Sequence, residues 1–261
     1  MLHSHEQDYA MRATHIEFRL RMLINAAIII LGFWAPWIGV LAPPTGFASR
    51  ISTLEWLAST LSRLGLMSFT HAAPFVLTVG AGVAALGAIL RIWGSACLGP
   101  STVQHPDMQA GAVMAAGPYR FVRNPLYLGL WCMVAAMALL MPPTGALFTL
   151  VLISIFLLRL ILGEEAFIGH QLGERFRVYR LAVPRLIPRL RPLLPRTAAK
   201  PQWLRAISSE LLSVGVFITF AFLSWSYNNR LMLRAILVSF GVSLIARALI
   251  GDSPRALSNP N

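Results

Sequence analysis

Two short stretches hold most of the side chains able to do chemistry. The first is Gly117-Pro118-Tyr119-Arg120-Phe121-Val122-Arg123-Asn124-Pro125-Leu126-Tyr127-Leu128-Gly129, and the second is Glu164-Glu165. Pro125 suits the first position of a helix, where its missing N–H would be unpaired in any case. The free N–H groups of such a start, with the positive end of the helix dipole, favour an anion such as a carboxylate. Arg123 adds a fixed positive charge, and Tyr119 and Tyr127 add ring faces and hydroxyls. Two adjacent acids just beyond Arg159 suit a cationic ligand or open solvent. The plainer reading makes Arg120 and Arg123 topology anchors and the tyrosines an aromatic belt.

The elements that must position these residues are read from composition. The chain has 261 residues, of which 56% are hydrophobic and 12% charged, with a mean hydropathy of +0.65. A soluble domain carries about 25% charged residues, so half that value, together with long uncharged runs, indicates a membrane protein. Spans are expected at 22–41, 74–93, 125–141, 144–162, 208–227 and 231–250. The fold class is therefore all-α and polytopic, with about six transmembrane helices. Segment 42–73 alternates Trp56, Leu57 and Leu61 with Arg50, Glu55 and Arg63, the pattern of an interfacial helix. The turn at Pro142-Pro143 is short, so the end of the fourth span returns beside the start of the third. The two chemical motifs then face each other across one pocket.

Charge orients the chain. Of 22 basic residues, 18 fall on one side when both termini are placed inside, which by the positive-inside rule makes that side cytosolic. The expected location is a bacterial inner membrane, since the basic residues are arginines except Lys200. The net charge of +12 does not mark a nucleic-acid binder, because the basic residues lie between apolar runs and no separable soluble domain carries them. Anionic headgroups at the basic segment 175–205 are the expected partners. Within 163–205, which begins Gly163-Glu164-Glu165, Ile168, Leu172, Phe176 and Tyr179 fall at helical spacing opposite Arg175, Arg177 and Arg180, predicting a cytosolic amphipathic helix. Pro184, Pro188, Pro192, Pro195 and Pro201 then rule out a continuous helix and predict an extended basic strap. Three regions follow: residues 1–93 with the first two spans, a core at 94–205, and a two-span hairpin at 206–261. His3 and His5 beside Glu6 and Asp8 read as a polar tail with no metal assigned, and Cys97 and Cys132 as apolar fillers. Arg91 reads as a snorkelling arginine beside an interfacial Trp93. No dinucleotide fingerprint is present.

GPYRFVRNPLYLG, followed by EEAFIGHQLGERFRVYRLAVPRLIP, resembles the membrane methyltransferase superfamily of isoprenylcysteine carboxyl methyltransferase, over roughly 95–190. The resemblance implies S-adenosylmethionine held on the cytosolic side and a lipid-like acceptor arriving from the bilayer. Transferred residue by residue, it puts cofactor contacts on Gln104, Gly111, Ala112, Val113, Met114, Tyr119, Asn124, Pro125, Leu126, Tyr127 and Glu164. Asn124 stands where the family usually has His, so the implied chemistry is one that needs no imidazole base. The family's substrate-binding arginine falls on Leu160, with Arg159 beside it. Arg123 and Arg159 are assigned to hold the acceptor's anionic group.

The implied activity is methyl transfer to a lipophilic acceptor, foremost carboxyl O-methylation. N-methylation of a phospholipid headgroup and S-methylation of a small thiol are the nearest rivals. A transporter would place ionisable groups near the membrane midplane, whereas Arg91, Arg159, Arg234 and Arg247 lie near the expected span ends. A non-enzymatic scaffold is the remaining alternative.

Overall fold

The computed structural model describes residues 13–34, 51–98, 116–194 and 201–251. Among these residues every regular element is helical. The first helices are α1 (His15–Arg19), α2 (Arg21–Phe33), α3 (Thr53–Arg63) and α4 (Phe69–Leu98). A 3-10 turn at Gly117–Arg120 leads into α5 (Pro125–Ala138), followed by α6 (Pro143–Leu172) and α7 (Glu174–Ala182). The C-terminal part contains α8 (Trp203–Ser209), α9 (Leu211–Ile218) and α10 (Asn229–Gly251).

Among the described residues three helices are long and apolar enough to cross a bilayer: α4, α6 and the stretch Asn229–Ala246 of α10. A fourth is added if α8 and the segment Leu211–Ser226 are one bent span. The described residues thus show three to four spans, the expected count of six is not confirmed, and α2 and α5 are shorter apolar helices. At about 1.5 Å per residue α5 covers only about 21 Å, less than the roughly 30 Å of hydrocarbon. It ends in a tight turn before the Pro142-Pro143 pair. Residues 35–41 of the expected first span lie outside the described residues.

Two expected elements change shape. The fifth span, read as continuous over 208–227, bends by 71° between α8 and α9 and loosens into a π turn at Thr219–Leu223. The surface helix does not begin at the acid pair. Instead α6 continues through Glu164 and Glu165 to Leu172, where Gly173 stops it at φ +51°. The apolar face expected there is real but divided between two helices: Phe176, Tyr179 and Val183 pack beneath Ile168 and Leu172.

Helix α3 is the helix expected within 42–73. A reciprocal cap between Ser52 and Glu55 starts it, and Leu54 packs with Val76 and Leu77 of α4. Helix α4 packs backbone to backbone on α5: a Cβ added at Gly87 would lie 2.8 Å from the Gly129 carbonyl oxygen. Around this contact Ala84, Met133, Ala136 and Met137 share one core with Val216, Phe220, Met232 and Ile236 of the C-terminal hairpin.

Candidate functional site

The start of α5 has an unusual cap. Asn124 occupies the N-cap position, yet its side chain makes no cap hydrogen bond. Its Nδ2 donates instead to Glu165 Oε1 at 3.1 Å and to the Arg185 carbonyl at 3.2 Å. The amide therefore cross-links α5, α6 and the segment after α7. The backbone repeats the link, with Arg123 N–H donating to the Pro184 carbonyl at 2.8 Å and Arg189 N–H to the Phe121 carbonyl at 2.9 Å.

Glu164 and Glu165 are neighbours in sequence but face different partners, because one residue turns a helical side chain by about 100°. Glu165 is buried and takes two arginines: Arg185 Nη2 at 2.9 Å and Arg123 Nη1 at 3.2 Å. The Arg123 contact is one of charge alone, since its Nε and Nη1 reach no hydrogen-bond acceptor among the described residues. Burial pulls the Arg123 guanidinium down from its ordinary value, Glu165 opposes this, and Arg185 adds to it. Two guanidinium groups on one carboxylate leave a local positive excess. Glu164, by contrast, receives the Tyr127 hydroxyl, with the charge of Arg21 on α2 also acting on it.

Tyr119 forms the facing wall. Its hydroxyl is buried without a hydrogen-bond partner among the described residues, near the point where a Cβ on Gly94 would stand. Burial, with the charge of Glu164 adding to it, raises the phenol well above its ordinary value, so it stays a neutral donor. Its carbonyl accepts the Tyr179 hydroxyl at 2.8 Å, which fixes the turn against α7. Gly117, at φ +50°, sits so close to Trp93 and Cys97 of α4 that a side chain would collide with both.

Tyr119, Asn124 and Tyr127 thus converge with Glu164 and the Arg123–Glu165 pair at one end of α5. Pro125 is buried at its first turn. Leu126 lies against the position of Gly94, and its carbonyl accepts from Arg91 Nη1 at 3.3 Å. Arg159 points elsewhere: its Nη2 donates to both carboxylate oxygens of Glu17, at 2.9 and 3.1 Å. Leu160 is buried in the apolar core. Gln104, Gly111, Ala112, Val113 and Met114 lie outside the described residues.

Sequence reasoning missed three participants. Arg185 falls in the expected basic strap, and Arg21 is one of the 18 basic residues counted on the cytosolic side. The third is Glu210, at the 71° bend, whose buried carboxylate binds Arg91 and receives the Ser95 and Ser213 hydroxyls at 2.9 and 3.1 Å. An acid in an otherwise apolar C-terminal segment was the available signal.

Residues 75–175 match the phospholipid methyltransferase family model. The match starts in α4 and ends in α7, and so contains Tyr119, Arg123, Asn124, Tyr127, Glu164 and Glu165. This family belongs to the same superfamily of membrane methyltransferases that the sequence resembles. No curated protein and no solved structure matches the chain. The match and the apolar helices together indicate a membrane methyltransferase, and Arg185 and Glu210 lie beyond the matched residues.

Proposed function

We propose that this protein transfers a methyl group from S-adenosylmethionine to the amine of a phospholipid headgroup. The observation that carries the reading is the convergence of Glu164–Tyr127 and Arg123–Glu165 at one end of α5, inside the matched family segment. S-adenosylmethionine supplies an electrophilic methyl on a sulfonium cation. The residues present suit such a group: Glu164 offers a negative charge, and Tyr119 a buried hydroxyl that lacks a partner among the described residues. Tyr127 orients the Glu164 carboxyl, while Asn124 holds the helix start against α6.

Arg123 would take the acceptor's anionic group, a phosphodiester in a phospholipid, on the two N–H groups that reach no acceptor within the described residues. The bound cofactor would supply its methyl to the neutral amine, the S–CH3 bond being exchanged for an N–CH3 bond and one proton passing to water. Alignment and water exclusion supply most of the rate in such a transfer. The headgroup ammonium would first give a proton to water, since Asn124, at the position of the family's usual His, cannot accept it. The same Arg123 geometry favours a second reading, carboxyl O-methylation, since a carboxylate fits those N–H groups as well. Arg159, already held by Glu17, is the weaker candidate for contact with the acceptor. The active face would be cytosolic, as the arginine distribution suggests.

The test is calorimetric binding of S-adenosylmethionine in detergent, followed by transfer of labelled methyl in nanodiscs to phosphatidylethanolamine and to a panel of lipophilic acids. Glu164→Ala and Tyr127→Ala should each weaken cofactor binding at least tenfold. Unchanged affinity in both variants would show that the site is misplaced. Labelling of the acids alone would select the second reading.

A further inference from the structure

The segment from α7 to Leu194 has a composition that neither water nor the rest of the protein satisfies. Ile187 is 82% and Leu190 96% exposed, and Leu181 and Leu193 are also exposed. Arginines interrupt them. Of these, Arg177 pairs with Glu174 and Arg185 with Glu165. Arg175, Arg180, Arg189 and Arg191 have no ion-pair partner among the described residues.

The position of this segment relative to the bilayer follows from α6. About 20 residues of helix cover the hydrocarbon, so a span beginning at Pro143 reaches the interface near Glu164. The rest of α6, to Leu172, stands about 12 Å beyond it. After Gly173 the chain turns back. Pro184 meets Arg123, Arg189 meets Phe121, and the Leu194 carbonyl accepts from Arg120 Nε at 2.9 Å. These bonds hold residues 184–194 level with the start of α5, at the depth where headgroups lie.

We propose that residues 175–194 dock on an anionic lipid surface, with Leu181, Ile187, Leu190 and Leu193 in the interface and the four arginines on headgroup phosphates or carboxylates. Charge complementarity selects this occupant: a cationic, apolar strap at headgroup depth matches acidic lipid. The strap is also the segment that holds Arg123 and Glu165, so lipid docking and the candidate site share a structural element.

The experiment needs no methyl transfer, so its outcome is independent of the proposed activity. A bimane probe is placed at Leu190→Cys in a Cys97→Ser, Cys132→Ala background, and the protein is reconstituted in nanodiscs containing shallow spin-labelled lipid. Quenching should be about threefold stronger with 30% phosphatidylglycerol than with phosphatidylcholine alone, and should fall toward the neutral value in 0.5 M salt. Replacing Arg175, Arg180, Arg189 and Arg191 by Gln should abolish the difference. The salt titration of the parent protein decides the matter even if that variant does not fold. Equal quenching in both lipids, or no quenching in either, overturns the proposal. So does shielding that rises with protein concentration in detergent, which would mean that a second copy covers the strap.

Discussion

Arg91 and Glu210 meet in a two-pronged ion pair, with Nε to Oε2 at 2.6 Å and Nη2 to Oε1 at 3.0 Å. The pair joins α4 to the bend between α8 and α9. Ser95 and Ser213 complete the carboxylate's acceptor sites, and Arg91 Nη1 reaches the Leu126 carbonyl. A charge pair with every oxygen satisfied tolerates burial; a single charge left there does not. Glu210→Ala should therefore destabilise the protein by about 3–5 kcal/mol, read as a lower unfolding temperature in nanodiscs. Adding Arg91→Ala should recover part of the loss. A Glu210→Ala protein that melts like the parent would show the pair to be dispensable.

The two adjacent acids should separate cleanly under mutation. Glu165 is the shared counter-charge of Arg123 and Arg185, so Glu165→Gln leaves a buried guanidinium without one and should cost about 3 kcal/mol in stability. Glu164→Gln keeps a partner for Tyr127 and should leave the stability within about 1 kcal/mol of the parent. Its effect should appear in cofactor affinity. Thermal unfolding and calorimetry on the same preparations give both numbers, and the reverse pattern would exchange the roles assigned to the two residues.

Gly87 and Gly82 provide a matched comparison on one helix. A Cβ at Gly87 meets the Gly129 carbonyl at 2.8 Å and the Met133 amide at 3.1 Å, whereas one at Gly82 meets nothing within 4 Å. Backbone cannot move aside as a side chain can, so Gly87→Ala should cost about 1–3 kcal/mol. Gly82→Ala should be neutral, or stabilising by about 0.5–1 kcal/mol through helix propensity. Similar melting of the two variants would mean that α4 and α5 are less closely packed than described.

Acid should release α1 from α6. The Arg159 guanidinium and the Thr14 amide hold the Glu17 carboxyl below its ordinary value. A lowered folded-state value stabilises the protein above the unfolded value, and that contribution disappears as pH falls through the folded one. The pair is partly exposed, so its worth is about 0.5–1 kcal/mol. Glu17→Gln should thus lower the melting temperature slightly at pH 7, and the gap to the parent should close below about pH 4. A gap that persists at pH 3 would mean that Glu17 acts through packing.

The apolar runs determined that the chain is helical and membrane-embedded, because hydrocarbon accepts only elements whose backbone polar groups are satisfied internally. The motif spacing and the short Pro142-Pro143 turn by themselves place Tyr119, Asn124 and Tyr127 opposite the acids. What sequence could not set was angle. Whether Arg123 meets Glu164 or Glu165 depends on a rotation of about 100° per residue, and the structure selects Glu165. It could not set long-range partners either. Arg159 pairs with Glu17 across 142 residues of sequence and Arg91 with Glu210 across 119, and no local pattern encodes such distances. The length of α5, the break at Glu210 and the return of the strap to Phe121 are likewise tertiary outcomes. At the Glu210 break and the strap a polar group took the partner that packing brought within reach, because leaving it unpaired in low dielectric costs more than bending a helix or folding back a loop.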